Sequence, residues 1–146
     1  MENRQAEILL IEDSLPDVRL TERALKKSTL AKQVSVVRDG EQALAFLRRQ
    51  GEYANAPRPD IILLDLGLPK KNGAEVLAEI KKDPALKRIP VIVLTSSDAE
   101  EDVLDTYNHH ANAYTKKPVD MDEFVRTIKM IEDFWLSLVI LPRREI

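Results

Sequence analysis

The stretch "PDIILLDLGLPKKNG", Pro59 to Gly73, decides how the rest of the chain is read. Its four consecutive apolar residues, Ile61–Leu64, have the length of a strand buried on both faces, as in parallel sheets. They run straight into a carboxylate, Asp65, and the chain then turns through Gly67 and Pro69 before restarting at Gly73. Burial penalises an ionised acid, so an aspartate at the mouth of such a strand needs a reason. One is local: Gly67 and Pro69 supply turn chemistry, and Asp65 merely caps the strand. The other is that groups from elsewhere in the chain converge on it.

Similar short apolar runs occur at Ile8–Ile11, Val34–Val37 and Val91–Leu94, with a weaker one at Ala113–Thr115. Between them the spacing predicts helices over Asp17–Lys27, Glu41–Arg49, Ala74–Lys82 and Glu100–His109, and a last one from about Met121. In that last helix Phe124, Ile128, Ile131, Trp135 and Leu138 form one apolar stripe at helical spacing, with Asp120 or Asp122 suited to its first turn. Such alternation calls for right-handed crossovers and an α/β fold, a five-stranded parallel sheet with helices on both faces.

Composition agrees with one compact domain. The chain has 146 residues, 44% apolar and 32% charged, with a net charge of −3 that offers no basic footprint for nucleic acid. Arg48-Arg49, Lys81-Lys82 and Arg143-Arg144 read as short surface pairs. The absence of cysteine excludes disulfides, thiolate metal sites and cysteine nucleophiles. The first residues lack a signal-peptide core, and no apolar run reaches the ~20 residues of a membrane span, so a cytoplasmic soluble domain without membrane contact is expected.

A doubly wound sheet places its ligand outside the carboxyl ends of its strands. The residues following each strand therefore matter most. Glu12 and Asp13 follow the first, Asp65 the third, Thr95-Ser96-Ser97 the fourth and Lys116-Lys117-Pro118 the fifth; Val37-Arg38-Asp39-Gly40 after the second reads as a plain turn. Each has a bland explanation. Asp13 or Ser14 could cap a helix with Pro16 in its first turn, Thr95 and Ser96 could cap another, and Lys117 could be solvated. Together they place three carboxylates, a hydroxyl and an ammonium at one sheet edge.

Clustered carboxylates raise each other's pKa unless a cation sits among them, and all-oxygen ligands point to a hard divalent ion, Mg²⁺ before Zn²⁺. A hydroxyl and a lysine opposite that ion suit a phosphoryl group. Asp65 could then be the nucleophile forming an acyl phosphate, or only a metal ligand.

This set resembles the receiver domain of two-component response regulators over about Glu7 to Asp133. The resemblance implies a flavodoxin-like sheet of order 2-1-3-4-5, with a receiver over residues 5–133 and an apolar C-terminal extension over 134–146. It makes Asp65 the phosphoacceptor and Asp13 a direct ligand of Mg²⁺, with Mn²⁺ an acceptable substitute. Glu12 holds the ion through water, and the Gly67 backbone carbonyl completes the shell. Thr95 and Lys117 bind the phosphoryl oxygens, Tyr114 is the aromatic that moves with Thr95, and Lys117-Pro118 is a cis bond. Glu12 replaces the commoner aspartate, and Gly67 is smaller than usual at a position that, with Ser97, tunes hydrolysis. His109 and His110 sit near a helix end, where a structural role is expected.

The stretch "YNHHANAYTKKPVDMDEF" and the ending "FWLSLVILP" resemble the small single-domain regulators of bacterial and cyanobacterial phytochromes. A sensor histidine kinase of phytochrome type, a further downstream protein and a homodimer are the partners this implies, with phosphate transfer to another module as an alternative output. A haloacid-dehalogenase type of phosphatase would need an acid where Gly67 stands, so action as an enzyme on external phosphoesters is disfavoured. Phe134 to Leu141 holds seven apolar residues in eight before Pro142. Such a run must be covered on a second face, either by folding back onto its own domain or by a second copy of the chain, and Phe134, Trp135 and Leu138 are the contacts expected of a homodimer.

Overall fold

A computed structural model describes residues 5–27, 32–68, 70–95, 111, 113–116 and 121–138. Its strands are β1 (Ala6–Ile11), β2 (Lys32–Val37), β3 (Ile61–Leu64), β4 (Val91–Thr95) and β5 (Ala113–Lys116). The helices are α1 (Leu15–Lys26), α2 (Gly40–Leu47), α3 (Gly73–Lys82) and α4 (Met121–Glu132). A 3₁₀ turn spans Gly51–Tyr53, and a π turn over Asp133–Leu138 continues α4. All pairings are parallel, in the order β2-β1-β3-β4-β5, as expected. The helix predicted over Glu100–His109 lies outside the described residues.

Strand alternation sorts the core into two layers. Leu9, Ile11, Ile62, Leu64, Val91 and Val93 face Leu44, Phe46, Val76, Leu77 and Ile80 of α2 and α3. Ile8, Leu10, Ile61, Leu63, Ile92 and Leu94 face Val18 and Leu25 of α1 and Phe124 and Ile128 of α4. Both faces of the central strands are thus covered, which is why β3 is an unbroken apolar run.

Polar side chains set where the helices begin. Ser14 caps α1 through the Asp17 N–H, with Pro16 in the first turn. Asn72 caps α3 through the Glu75 N–H at 2.9 Å. Asp39, expected in a plain turn, instead caps α2 through the Gln42 N–H at 2.8 Å. At the other end of the helical layer, Lys32 Nζ lies 2.9 Å from Glu132 Oε2, with both side chains almost wholly buried. The same ammonium donates to the Leu25 carbonyl at 2.6 Å, tying β2, α1 and α4 together.

Lys81 staples the end of α3 to the following loop. Its Nζ donates to the carbonyls of Lys87 at 3.0 Å and Ile89 at 2.8 Å, and burial pulls its pKa from 10.5 down to about 8. The native protein therefore gives up this proton at lower pH than the unfolded chain does. Between about pH 8 and about pH 10.5 the unfolded state binds more protons, so the Lys81 contribution makes stability rise with pH. Urea-unfolding midpoints across that window should rise more steeply for wild type than for Lys81→Met. Equal slopes would mean that the native amine holds its proton as an exposed lysine does.

Candidate functional site

The site begins with register. Ile11 of β1 pairs with Leu64 of β3, so Glu12 and Asp65 leave the sheet side by side. The Asp65 N–H donates to the Ile11 carbonyl and the Glu12 N–H to the Val37 carbonyl, both at 3.0 Å, carrying the ladder one residue past each strand. Glu12, Asp13 and Asp65 each bring a carboxylate oxygen to within 4.8 Å of the others. Glu12 is 2% exposed and Asp65 8%. Asp65 therefore has more than a capping role, because two other acids crowd it in a place poorly screened by water.

Local bonds hold this arrangement. Glu12 Oε2 accepts the Ser14 N–H at 3.2 Å, so one acid turns the chain into α1. The Arg38 guanidinium donates to the Asp13 carbonyl through Nε at 3.1 Å and Nη2 at 2.6 Å, pinning the loop after β1 to the end of β2. Arg38 is a residue that the sequence reading left as turn filler. Its role depends on β1 and β2 being neighbours, which no local pattern reveals.

Two glycines fit the surrounding loops closely against the strand ends. A Cβ on Gly73 would lie 2.5 Å from the Asp65 carbonyl oxygen and 2.6 Å from Leu66 Cα. Only hydrogen fits there, and the Gly73 N–H closes the loop on the Leu66 carbonyl at 3.0 Å. A Cβ on Gly40 would lie 2.1 Å from the Lys71 carbonyl oxygen, so α2 can start against the same loop only without a side chain. That loop carries Lys70, whose φ of 65° is left-handed and whose Nζ sits 3.6 Å from Asp39 Oδ2. Lys71 is hydrogen-bonded to Glu79, and this bond holds the Glu79 carboxyl below its ordinary pKa. Gly67 is exposed, and a Cβ there would stand 3.5 Å from Asp65 Oδ2, so even a small side chain would overhang the acid.

On the other side, Thr95 ends β4 and pairs with Lys116, while Tyr114 pairs with Val93. Leu64 pairs with the same Val93, which puts the end of β4 at the sheet edge where the acids emerge. Lys117, Pro118 and the bond between them, Ser97, His109 and His110 lie outside the described residues.

The donor set suits a hard divalent cation. It is made of carboxylates alone, with neither imidazole nor thiolate, which favours Mg²⁺ or Mn²⁺ over softer metals. Residues 8–129 match the family described as the response regulator receiver domain. The chain belongs to that family. It is 53% identical over 135 residues to the response regulator Rcp1 of Synechocystis sp., covering 92% of each chain. Among solved structures, the phosphorylated cyanobacterial phytochrome response regulator RcpA superposes with a TM-score of 0.92 at 52% identity, covering 96% of this chain and all of that one. The Mn²⁺-bound form of Rcp1 gives a TM-score of 0.89 at 52% identity, with 94% and 99% covered. The receiver fold and the binding of a divalent metal are therefore features of this chain, and the acidic trio is a described cluster whose ligands suit such an ion.

Repulsion within the trio predicts a sign change. In chelator, Asp13→Asn should raise the melting midpoint, because one of three close like charges is gone. With Mg²⁺ at about 100 times its dissociation constant, wild type should gain about 2.7 kcal/mol by mass action, and the variant clearly less. Thermal unfolding with and without Mg²⁺ tests this. Equal Mg²⁺ stabilisation of both proteins would remove Asp13 from the cation site.

Proposed function

We propose that Asp65 of this single-domain response regulator accepts a phosphoryl group from a sensor histidine kinase of phytochrome type. The observation that carries the reading is the approach of the Glu12, Asp13 and Asp65 carboxylates within 4.8 Å at the ends of β1 and β3. In the transfer, an Asp65 oxygen attacks phosphorus while the bond from phosphorus to the kinase imidazole breaks, leaving the histidine and an acyl phosphate. Asp13 would hold the cation directly, Gly67 through its backbone carbonyl and Glu12 through water; bound there, the ion would supply charge to offset the acids and the incoming phosphoryl oxygens. Thr95 and Lys117 take the phosphoryl oxygens, and Tyr114 answers the movement of Thr95. The phytochrome-type partner is supported by likeness to RcpA and Rcp1 over nearly the whole chain. The chain works on its own carboxylate and turns over no external substrate. A cytoplasmic location suits that partner, and no described helix is long and apolar enough to cross a membrane.

Treatment with acetyl phosphate and Mg²⁺ should add one phosphoryl group by intact mass, and Asp65→Asn should add none. Undiminished addition to that variant would move the phosphoacceptor elsewhere.

The signal leaves through protein contacts, and we assign residues 134–146 to a homodimer interface next to the end of α4. Phe134 is 53% exposed and Met130 66%, large apolar areas for a solvated helix end. They border a cavity of about 470 Å³ shared with Thr115, Thr127, Ile131 and Trp135, beside edge strand β5. Trp135 packs edge-on to Phe134 with ring centroids 5.3 Å apart, and its other side rests on the core beneath α4. Phe134 is thus the outward anchor and Trp135 its support. The side chain of Leu138, the third expected contact, lies outside the described residues. Sedimentation at micromolar concentration should give a dimer that is lost on truncation after Asp133. A wild-type monomer with Mg²⁺ and a phosphate mimic would rule this interface out, leaving transfer of the phosphate to another module as the output.

A further inference from the structure

We propose that the cleft at the C-terminal ends of α2 and α3 is a second anion site, built to take a small organic phosphate. The cleft encloses about 360 Å³, within the ~300–1,000 Å³ range of small-ligand sites. Arg48, Arg49, Arg58 and Asp83 line it, over a floor that includes the buried Leu47 and Leu86. It lies where α2 and α3 finish and just before β3 begins, at the sheet edge opposite Asp65.

The charges there do not balance. Arg48 Nη2 lies 3.6 Å from Glu79 Oε1 and its Nε 3.7 Å from Asp83 Oδ2, so the neighbouring acids are engaged by Arg48. Glu79 is also bonded to Lys71, and Asp83 Oδ1 accepts the Ala85 N–H at 2.9 Å. Arg58 donates to the Ala85 carbonyl at 2.7 Å, which fixes its guanidinium without neutralising it. Arg49 is exposed, with no ion-pair partner among the described residues. Two guanidinium charges are left over at the rim of one cleft. Guanidinium forks match phosphate oxygens in pairs, and the apolar floor can take the body of the ligand.

The loop that carries Arg49 begins with an ordinary helix stop. Arg49 has a φ of 54°, a left-handed conformation that glycine or asparagine would adopt more easily. It is held there by its N–H bond to the Phe46 carbonyl at 3.2 Å and by the Gln50 N–H bond to the Ala45 carbonyl at 2.9 Å. Tyr53, further along the same loop, packs against Phe46 with centroids 5.5 Å apart. The loop from Arg49 towards Arg58 is thus fastened to α2, with an arginine at a position where helix geometry favours other residues.

Titration calorimetry of the full chain in chelator, with inorganic pyrophosphate and with adenosine diphosphate as probes, tests the site. Both should bind, with adenosine diphosphate tighter if the floor takes the nucleoside. Binding of pyrophosphate without binding of adenosine diphosphate would overturn the assignment to an organic phosphate. Arg49→Gln and Arg58→Gln should each weaken binding about tenfold or more, the loss expected for one charge-assisted hydrogen bond. Asp65→Asn should leave binding unchanged, which separates this site from the phosphoacceptor. No binding of either probe at millimolar concentration would overturn the proposal. So would full affinity in both arginine variants, or loss of binding in Asp65→Asn.

Discussion

The structure depends on one parallel pairing, that of β1 with β3. Their register brings two carboxylates out of the sheet beside each other, and the following residue adds a third. Nothing in the packing of the core needs acids there, since both core layers are complete below Glu12 and Asp65. The pairing concentrates negative charge where water is scarce, and a cation is the agent that resolves it. Fold and function meet in this arrangement: the apolar layers make the sheet rigid enough to hold like charges together.

The surroundings follow from that demand. Arg38 clamps the loop after β1 by its carbonyl and so fixes the backbone of Asp13 while leaving the carboxylate for other work. Gly40 and Gly73 let the starts of α2 and α3 close on the strand ends from one side. Alanine at either position would place a carbon against backbone oxygen, which cannot move aside as a side chain can. The opposite end of the sheet is held by different means: the Lys32–Glu132 pair joins elements far apart in sequence, and the Lys81 staple ties α3 to the loop that follows it.

The sequence was most legible where one residue type answers to one local rule. Unbroken apolar runs gave the inner strands, and the stripe through Phe124 and Ile128 gave the face of α4. The acids and Thr95 could be sorted to one edge because they follow directly from strand ends. Polar beginnings hid the first residues of β1 and β2: Glu7 and Lys32 carry no apolar signal, yet pair through the ladder. Asp39 read as a turn because capping and turn chemistry favour the same residues. Arg38, Gly40 and Lys32 were opaque for another reason. Each gains its role from a partner brought near only by the finished topology.

The buried pair at the end of α4 has a mechanical consequence. Breaking such a pair by removing one partner leaves an uncompensated charge in the interior, at a cost of about 3–5 kcal/mol. Glu132 is thereby a fixed point, and the π turn over Asp133–Leu138 starts one residue later. Lys32 lies on the edge strand β2, at the opposite edge of the sheet from β5. Phe134 and Trp135 stand two and three residues beyond that anchored acid, so the placement of the aromatic pair is tied to the interior of the domain.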